Sequence, residues 1–210
     1  MVKNMDVKQK SKDWRFERKF VVKNNETPLV EHSLVQQGYI RQFDNRVVNS
    51  IYFDNDQLEC YYENLIGVSE RKKYRMRFYG NDSKFSGQFE EKIKSADTNT
   101  KRTLPFYDLD IDKKNWIFPN MPHLKPLVHV SYVRQYFFNS QSQIRATIDT
   151  EICYRSILTG IKVREEREII EFKSSSQNII VNVPEITSYN IRNSKYCLGI
   201  SSLGIADELY

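Results

Sequence analysis

Charged side chains recur at every second position in several short segments of this sequence. Arg15, Glu17 and Lys19 form one series, and Lys73, Arg75 and Arg77 another. Glu90, Lys92 and Lys94 follow, then Arg145, Thr147, Asp149 and Glu151, and finally Glu171 and Lys173. Alternate residues of a β-strand share a face, so each segment would carry one charged face. The intervening positions are largely apolar or aromatic: Phe16 and Phe20, Tyr74, Met76 and Phe78, Ala146 and Ile148, Ile170 and Phe172. For any one strand, a charged face is what a half-solvated antiparallel sheet presents to water. The number of arginines, and the aromatic character of the reverse faces, favour another arrangement. Helices or a second layer would cover the aromatic faces, and the charged faces would then converge inside a barrel. An antiparallel barrel of about eight strands holds side chains or one small ligand. Cations gathered there repel one another unless a polyanion and divalent cations neutralise them. The indicated chemistry is the gripping of a chain of phosphates, with arginine as a planar fork and lysine as a point charge.

The elements that must position these residues are mostly strands. Alternation predicts strands over residues 14–22, 47–53, 72–79, 88–94, 128–138, 143–152 and 167–173. Thr27 and Pro28 open a predicted helix that Gly38 ends. Further helices are predicted over 56–64, 107–116 and 184–189, and turns over 80–83 and 139–142. Neither an internal repeat nor a Pro/Gly-rich linker divides the chain, so residues 14–210 read as a single domain. Residues 1–13, with Lys3, Lys8, Lys10 and Lys12, read as a flexible basic lead.

Composition excludes several classes. The 210 residues carry 32 Lys and Arg against 27 Asp and Glu, a net charge of +5, with 12 Phe and 13 Tyr to build a core. Seven glycines leave no phosphate loop of the P-loop or dinucleotide type. His32, His123 and His129 have no metal-binding spacing, and Cys60, Cys153 and Cys197 are too scattered for a disulfide framework or zinc site. No serine lies in a G-x-S-x-G context. No segment approaches the roughly 20 apolar residues of a membrane helix, and no signal peptide is visible, so the expected location is cytoplasmic.

In chain order, the segments RFERKF at 15–20, SIYFDN at 50–55, KYRMRFYG at 73–80, FEEK at 89–92, SYVR at 131–134, RATIDT at 145–150, EFK at 171–173 and SKY at 194–196 are found. Together they resemble the VTC domain, the polyphosphate polymerase branch of the triphosphate tunnel metalloenzymes (CYTH-like proteins), over about residues 15–198. The resemblance implies a mainly β (α+β) fold: a closed eight-stranded antiparallel β-tunnel with helices packed on the outside. It implies transfer of the ATP γ-phosphoryl group to a growing inorganic polyphosphate chain, with release of ADP. It assigns Lys19, Arg75, Arg77, Lys92, Lys173 and Lys195 as catalytic cations. Arg15, Lys73, Tyr132, Arg134, Arg145 and Lys101 are substrate contacts, and Glu171 is the carboxylate for Mn²⁺ or Mg²⁺. The implied partners are ATP and inorganic polyphosphate. Nucleic acid is not expected, because the arginines sit on inward strand faces without clustered exposed aromatics. Room is left for a membrane-protein partner, since no segment of this sequence could cross a bilayer as a helix.

Two positions depart from the family pattern. Hydrolytic and cyclase members usually begin with Glu-x-Glu-x-Lys, where this chain has Arg15-x-Glu17-x-Lys19. Polymerase members often have a basic residue where Asn64 stands here, and Arg71 is the nearest candidate to compensate. A tripolyphosphatase or nucleoside triphosphatase, and a non-catalytic polyanion-binding module, are the alternatives. Asp54 is expected to cap the helix that follows it, Asp149 to pair with a tunnel arginine such as Arg145 or a cross-strand neighbour, and Tyr52 and Phe53 to lie in the core.

Overall fold

The computed structural model describes residues 16–22, 25–80, 87–95, 98–104, 121–176, 183, 186 and 194–207. Its frame is an antiparallel sheet of strands β1 (Phe16–Val22), β2 (Ile40–Asp54), β3 (Glu70–Tyr79), β4 (Gln88–Ser95), β5 (Thr98–Leu104), β6 (Lys125–Asn139), β7 (Ile144–Ser156), β8 (Lys162–Arg164) and β9 (Glu168–Ser174). Among the described residues three helices accompany it: α1 (Thr27–Gln36), α2 (Glu59–Ile66) and α3 (Lys195–Ser202). The strands pair in the order β1-β9-β7-β6-β2-β3-β4-β5, with β8 added on β7.

The mainly β, antiparallel tunnel architecture is the expected one, with two differences of detail. The sheet has nine strands, and its hydrogen-bonded path ends at β1 and β5 without closing among the described residues. Curling of the sheet brings its two ends toward each other. Lys92 on β4 lies in the field of Lys173 on β9 and Glu17 on β1, although several strands separate them along the path.

Helix placement is the second difference. Among the described helices only α1 takes the expected outer position, where Val30 and Leu34 pack with Phe20, Phe137, Ala146, Ile148, Ile170 and Phe172. These strand residues alternate with the charged series, so the aromatic faces are covered from outside as the parity argument requires. Helices α2 and α3 pack on the opposite, inner side. Cys60, Tyr61, Tyr196, Cys197 and Ile200 join Tyr52, Val128, Val130, Tyr132, Ile152 and Tyr154 in one core that fills one end of the tunnel. A third cluster, of Ile51, Phe53, Met76, Phe78, Phe89 and Leu124, covers the outer face near β2–β4.

A bulge in β7 makes the inner side charged at one end and apolar at the other. Glu151 has φ +52, and the β6–β7 register shifts between the Ser131 and Val133 pairs. One extra residue reverses which parity faces inward. Arg145, Thr147 and Asp149 therefore share the inner side with Ile152 and Tyr154. The apolar floor receives α3 at close range: a Cβ on Gly199 would stand 2.8 Å from Val128 Cγ1 and 3.1 Å from Tyr154 Cδ1.

Local signals explain the ends of the elements. Gly38, at φ +81, follows the last turn of α1 as expected, although Thr27 lies inside the helix and Glu26 precedes it without a side-chain cap. Asp54 is buried and accepts hydrogen bonds from the Cys60 and Tyr61 amides at 3.0 and 2.9 Å, capping α2 as expected. Asn139 Oδ1 accepts from the amides of Gln141 and Ser142, forming the predicted turn between β6 and β7. Strand β2 begins well before residue 47, and β5, β8 and α3 stand where no element was expected. The predicted helix over 107–116 and nearly all of that over 184–189 lie outside the described residues, as does the basic lead. No described helix is long and apolar enough to cross a membrane.

Candidate functional site

Strands β1 and β9 build a lattice of alternating charge at one side of the tunnel. Register places Lys19 opposite Glu171 and Glu17 opposite Lys173. Lys19 Nζ lies 2.6 Å from Glu17 Oε1, and Lys173 Nζ lies 2.6 Å from Glu171 Oε1 and 3.8 Å from Glu17 Oε2. Burial opposes the charge on Lys19, but Glu171 and Glu17 outweigh it and hold the ammonium above the usual lysine range. Burial likewise opposes ionisation of Glu171, yet Lys173, Lys19 and Arg134 hold it well below the usual carboxylate range. The side chains of Lys19 and Lys173 retain 27% and 30% exposure.

The next strands add a second cluster. Asp149, fully buried, accepts from Arg134 Nε and Nη2 at 2.5 and 2.7 Å and from Lys195 Nζ at 2.6 Å. Burial would raise its pKa, but Arg134 and Lys195 bring it down to about 2. The Tyr132 ring underlies both cations, 5.2 Å from Arg134 Cζ and 4.8 Å from Lys195 Nζ. Lys195 is the first residue of α3, whose N-cap Ser194 accepts a hydrogen bond from Lys73 Nζ at 2.9 Å. The plug helix thus delivers a cation into the tunnel and is tied to β3 at the same point.

Strands β3–β5 supply the remaining wall. Arg75 Nε donates to Glu90 Oε2 at 2.7 Å, and Lys101 Nζ lies 2.9 Å from Glu90 Oε1. Burial of Glu90 is outweighed by Arg75 and Lys101, and its pKa falls to about 2. Arg77 Nη2 donates to Tyr132 Oη at 2.9 Å, reaching across from β3 to β6. Lys92 lies among cations: Arg75 foremost, then burial and Lys173, press its ammonium well below the usual range. Lys73 is also lowered, chiefly by burial.

The arrangement holds more cations than its carboxylates neutralise, and they face one space from several strands and a helix. A linear polyanion with a negative oxygen at each repeat is the ligand that complements such a surface.

The sequence profile of the VTC domain matches residues 14–117 and 115–204. The chain belongs to the VTC domain family. No curated protein matches the sequence. Among solved structures, the chain is similar to a protein from Hippeastrum described as an adenylyl cyclase candidate with a dominant triphosphatase activity, at TM-score 0.53 and 13% identity over 89% of this chain and 95% of that one. It is also similar to an adenylate cyclase candidate of Vibrio parahaemolyticus, at TM-score 0.48 and 16% identity over 79% of this chain and 78% of that one. The first likeness supports the tunnel fold.

Of the residues predicted for the site of this VTC domain, Lys19, Lys73, Arg75, Arg77, Lys92, Tyr132, Arg134, Lys173, Lys195 and Glu171 come together on the inner side. Lys101 reaches the same group from β5 while half exposed. Arg145 pairs in register with Lys173 but lies exposed at the rim. Arg15 lies outside the described residues. Asn64 donates to the carbonyls of Cys60 and Lys72, joining α2 to β3, and Arg71 donates to the Val68 carbonyl. None of these three hydrogen bonds points to a phosphate-binding role.

Sequence reasoning missed three participants. Glu90 anchors Arg75, and its parity with Lys92 was the available signal. Tyr52 is indeed buried, yet it also stacks on Tyr196 at 5.2 Å and faces Arg75 in register. Ser194 opens the SKY segment at 194–196, but its contact with Lys73 has no signal in a single sequence, because the two residues are remote in the chain.

The family implies a divalent cation, and the donor set fits one. Glu17 and Glu171 are hard oxygen donors on neighbouring strands. Lys173 approaches buried Glu171 Oε1 as an ion pair, but this oxygen lacks an aligned hydrogen bond. Mg²⁺ held together with phosphates needs only one or two carboxylates. Among the described residues no group of three or more His, Cys, Asp and Glu gathers, so phosphate oxygens would complete the shell.

Proposed function

We propose that this VTC domain is an ATP-dependent polyphosphate polymerase that works inside the tunnel. The observation that carries the reading is the convergence of Lys19, Arg75, Arg77, Lys92, Lys173 and Lys195 on one inner space. In the reaction, a terminal oxygen of the polyphosphate chain attacks the γ-phosphorus of ATP. The bond from that phosphorus to the β–γ bridging oxygen breaks, ADP leaves with the electron pair, and a new phosphoanhydride lengthens the chain by one unit. Such transfer asks little covalent chemistry of the protein, whose task is to align donor and acceptor and to stabilise charge spreading over the equatorial oxygens.

The residues divide that task. Arg75 and Arg77 are held by Glu90, Tyr132 and Ser50, so their forks are preorganised. Lys92 and Lys173, from opposite ends of the strand path, close on the phosphates from two sides. Lys195 and Arg134, fixed by Asp149, orient the chain near the α3 plug. Glu171 and Glu17 would hold Mn²⁺ or Mg²⁺, which when bound supplies further positive charge to the phosphate oxygens.

Hydrolysis is the second reading, supported by the triphosphatase activity described for the Hippeastrum protein of similar fold. Incubating the full chain with ATP and Mn²⁺, and following ADP, free phosphate and long-chain polyphosphate together, separates the two. Polymerase activity gives polymer in step with ADP, and Lys92→Ala abolishes both while circular dichroism keeps its β signature. Free phosphate in step with ADP, without polymer, would establish hydrolysis instead. Binding of tripolyphosphate without turnover would leave a polyanion-binding module. Full activity of Lys92→Ala would remove the tunnel from the mechanism.

A further inference from the structure

The end of the tunnel remote from α3 has an aromatic and basic rim that the phosphate reading leaves unexplained. The first part of β2, residues 40–46, is exposed throughout. Its pairing with β6 shifts between Arg41 and Phe43 and again between Phe43 and Arg46. Bulges re-aim side chains, and these bring Phe43 and Arg46, which an unbroken strand would send to opposite faces, to one place beside Tyr136. Arg46 Cζ lies 4.7 Å from the centre of the Phe43 ring and 5.6 Å from that of Tyr136. The two rings meet edge to face at 5.7 Å.

Phe43 nevertheless remains 52% exposed, and Tyr79, which shares the β3 parity of Arg75 and Arg77, is 57% exposed. One exposed aromatic residue is ordinary. Several on a single tunnel rim, arranged around an arginine, form a stacking surface. That surface is continuous with the phosphate site: Arg46 is the register partner of Arg134, and Tyr136 follows Arg134 at the next position of the same face. Paired residues on antiparallel strands stand about 5 Å apart, so a ribose leaving a phosphate near Arg134 delivers its base to the rim.

We infer that Phe43, Arg46 and Tyr136 form a platform for the nucleobase of a nucleoside triphosphate whose phosphates enter the tunnel past Arg134. The inference rests on the phosphate-tunnel reading and adds what that reading lacks, a means of telling a nucleotide from bare polyphosphate. The free face of the Phe43 ring stacks on the base, Arg46 holds the ring from its other side, and Tyr136 fixes the edge. The expectation that exposed aromatics are not clustered is thereby corrected at this rim.

Calorimetric titration of the full chain with ATP and with inorganic tripolyphosphate tests the platform. Stacking of one base is worth about 1–3 kcal/mol, so Phe43→Ala weakens ATP by roughly 5- to 150-fold and leaves tripolyphosphate affinity unchanged. Phe43→Trp restores ATP affinity, and its indole emission is quenched by ATP but not by tripolyphosphate. Unchanged ATP affinity in Phe43→Ala would overturn the platform while tripolyphosphate binding kept the tunnel reading intact. Equal losses for both ligands would also overturn it, because the residue would then act on the tunnel and not on the base. Failure of tripolyphosphate to bind the unaltered chain would remove the tunnel reading, and the platform with it. A short single-stranded oligonucleotide lacking a triphosphate, bound as tightly as ATP, would make the rim a nucleic-acid surface and overturn the assignment to a mononucleotide.

Discussion

Asp149 combines complete burial with two cationic partners, Arg134 and Lys195. Its folded pKa of about 2 lies below the ordinary 3.8. Its ionised form therefore stabilises the fold fully above the ordinary value, and this contribution is lost as pH falls toward 2. Removing one partner of a buried pair leaves charge uncompensated and costs about 3–5 kcal/mol. Asp149→Asn should accordingly lower stability at neutral pH by roughly that amount and flatten the loss of stability between pH 4 and pH 2. Urea denaturation at several pH values measures both, and a variant as stable as the parent would show that the pair is not structural. At this scale the sequence was informative about direction and poor about partners. Strand parity placed Arg75, Arg77, Lys92, Glu171 and Lys173 on inner faces correctly. It could not show that Asp149 meets Lys195, because that contact joins β7 to a helix near the other end of the chain.

The elements that escaped sequence reading are those whose reason for forming lies elsewhere in the molecule. The sequence TNTKRTL of β5 has almost no apolar alternation, and it is a strand because β4 offers an unpaired edge. The start of β2 is polar and bulged, so period-2 counting begins only at residue 47. Helix α3 contains Gly199 and two serines, a weak intrinsic helix that exists because the apolar floor beyond the β7 bulge receives it. Its closest approach is at Gly199. Gly199→Val would force heavy atoms against Val128 and Tyr154, both nearly fully buried, and overpacking of this kind costs about 1–3 kcal/mol. Because α3 carries Lys195 and Ser194, the displacement should also weaken tripolyphosphate binding. A melting curve and a titration on the same sample read the two effects, and a variant that loses stability with unaltered affinity would dissociate the plug from the site.

At the scale of the whole molecule, a small net charge of +5 conceals a tunnel in which cations face one another. The cost of that arrangement in the absence of phosphate falls on Lys92, whose proton is disfavoured first by Arg75, then by burial and Lys173. In the free protein its pKa lies below that of the unfolded chain, so unfolding takes up protons and stability rises with pH toward the lysine range. A bound polyanion reverses the balance by favouring the charged ammonium, which raises the pKa. Binding must then draw a proton onto Lys92, and affinity must increase as pH falls through the range between the free and bound values. Tripolyphosphate titrations at pH 8 in buffers of different ionisation enthalpy count the protons exchanged. Tripolyphosphate has protons of its own to exchange, so the informative quantity is the difference between the parent chain and Lys92→Arg, which keeps a permanent charge at the same place. The parent should take up more protons than the variant and show the steeper dependence on pH. Equal proton counts would mean that Lys92 is already charged in the empty tunnel, and the repulsion that makes the tunnel a receptor for phosphate chains would have to be relieved by the carboxylates alone.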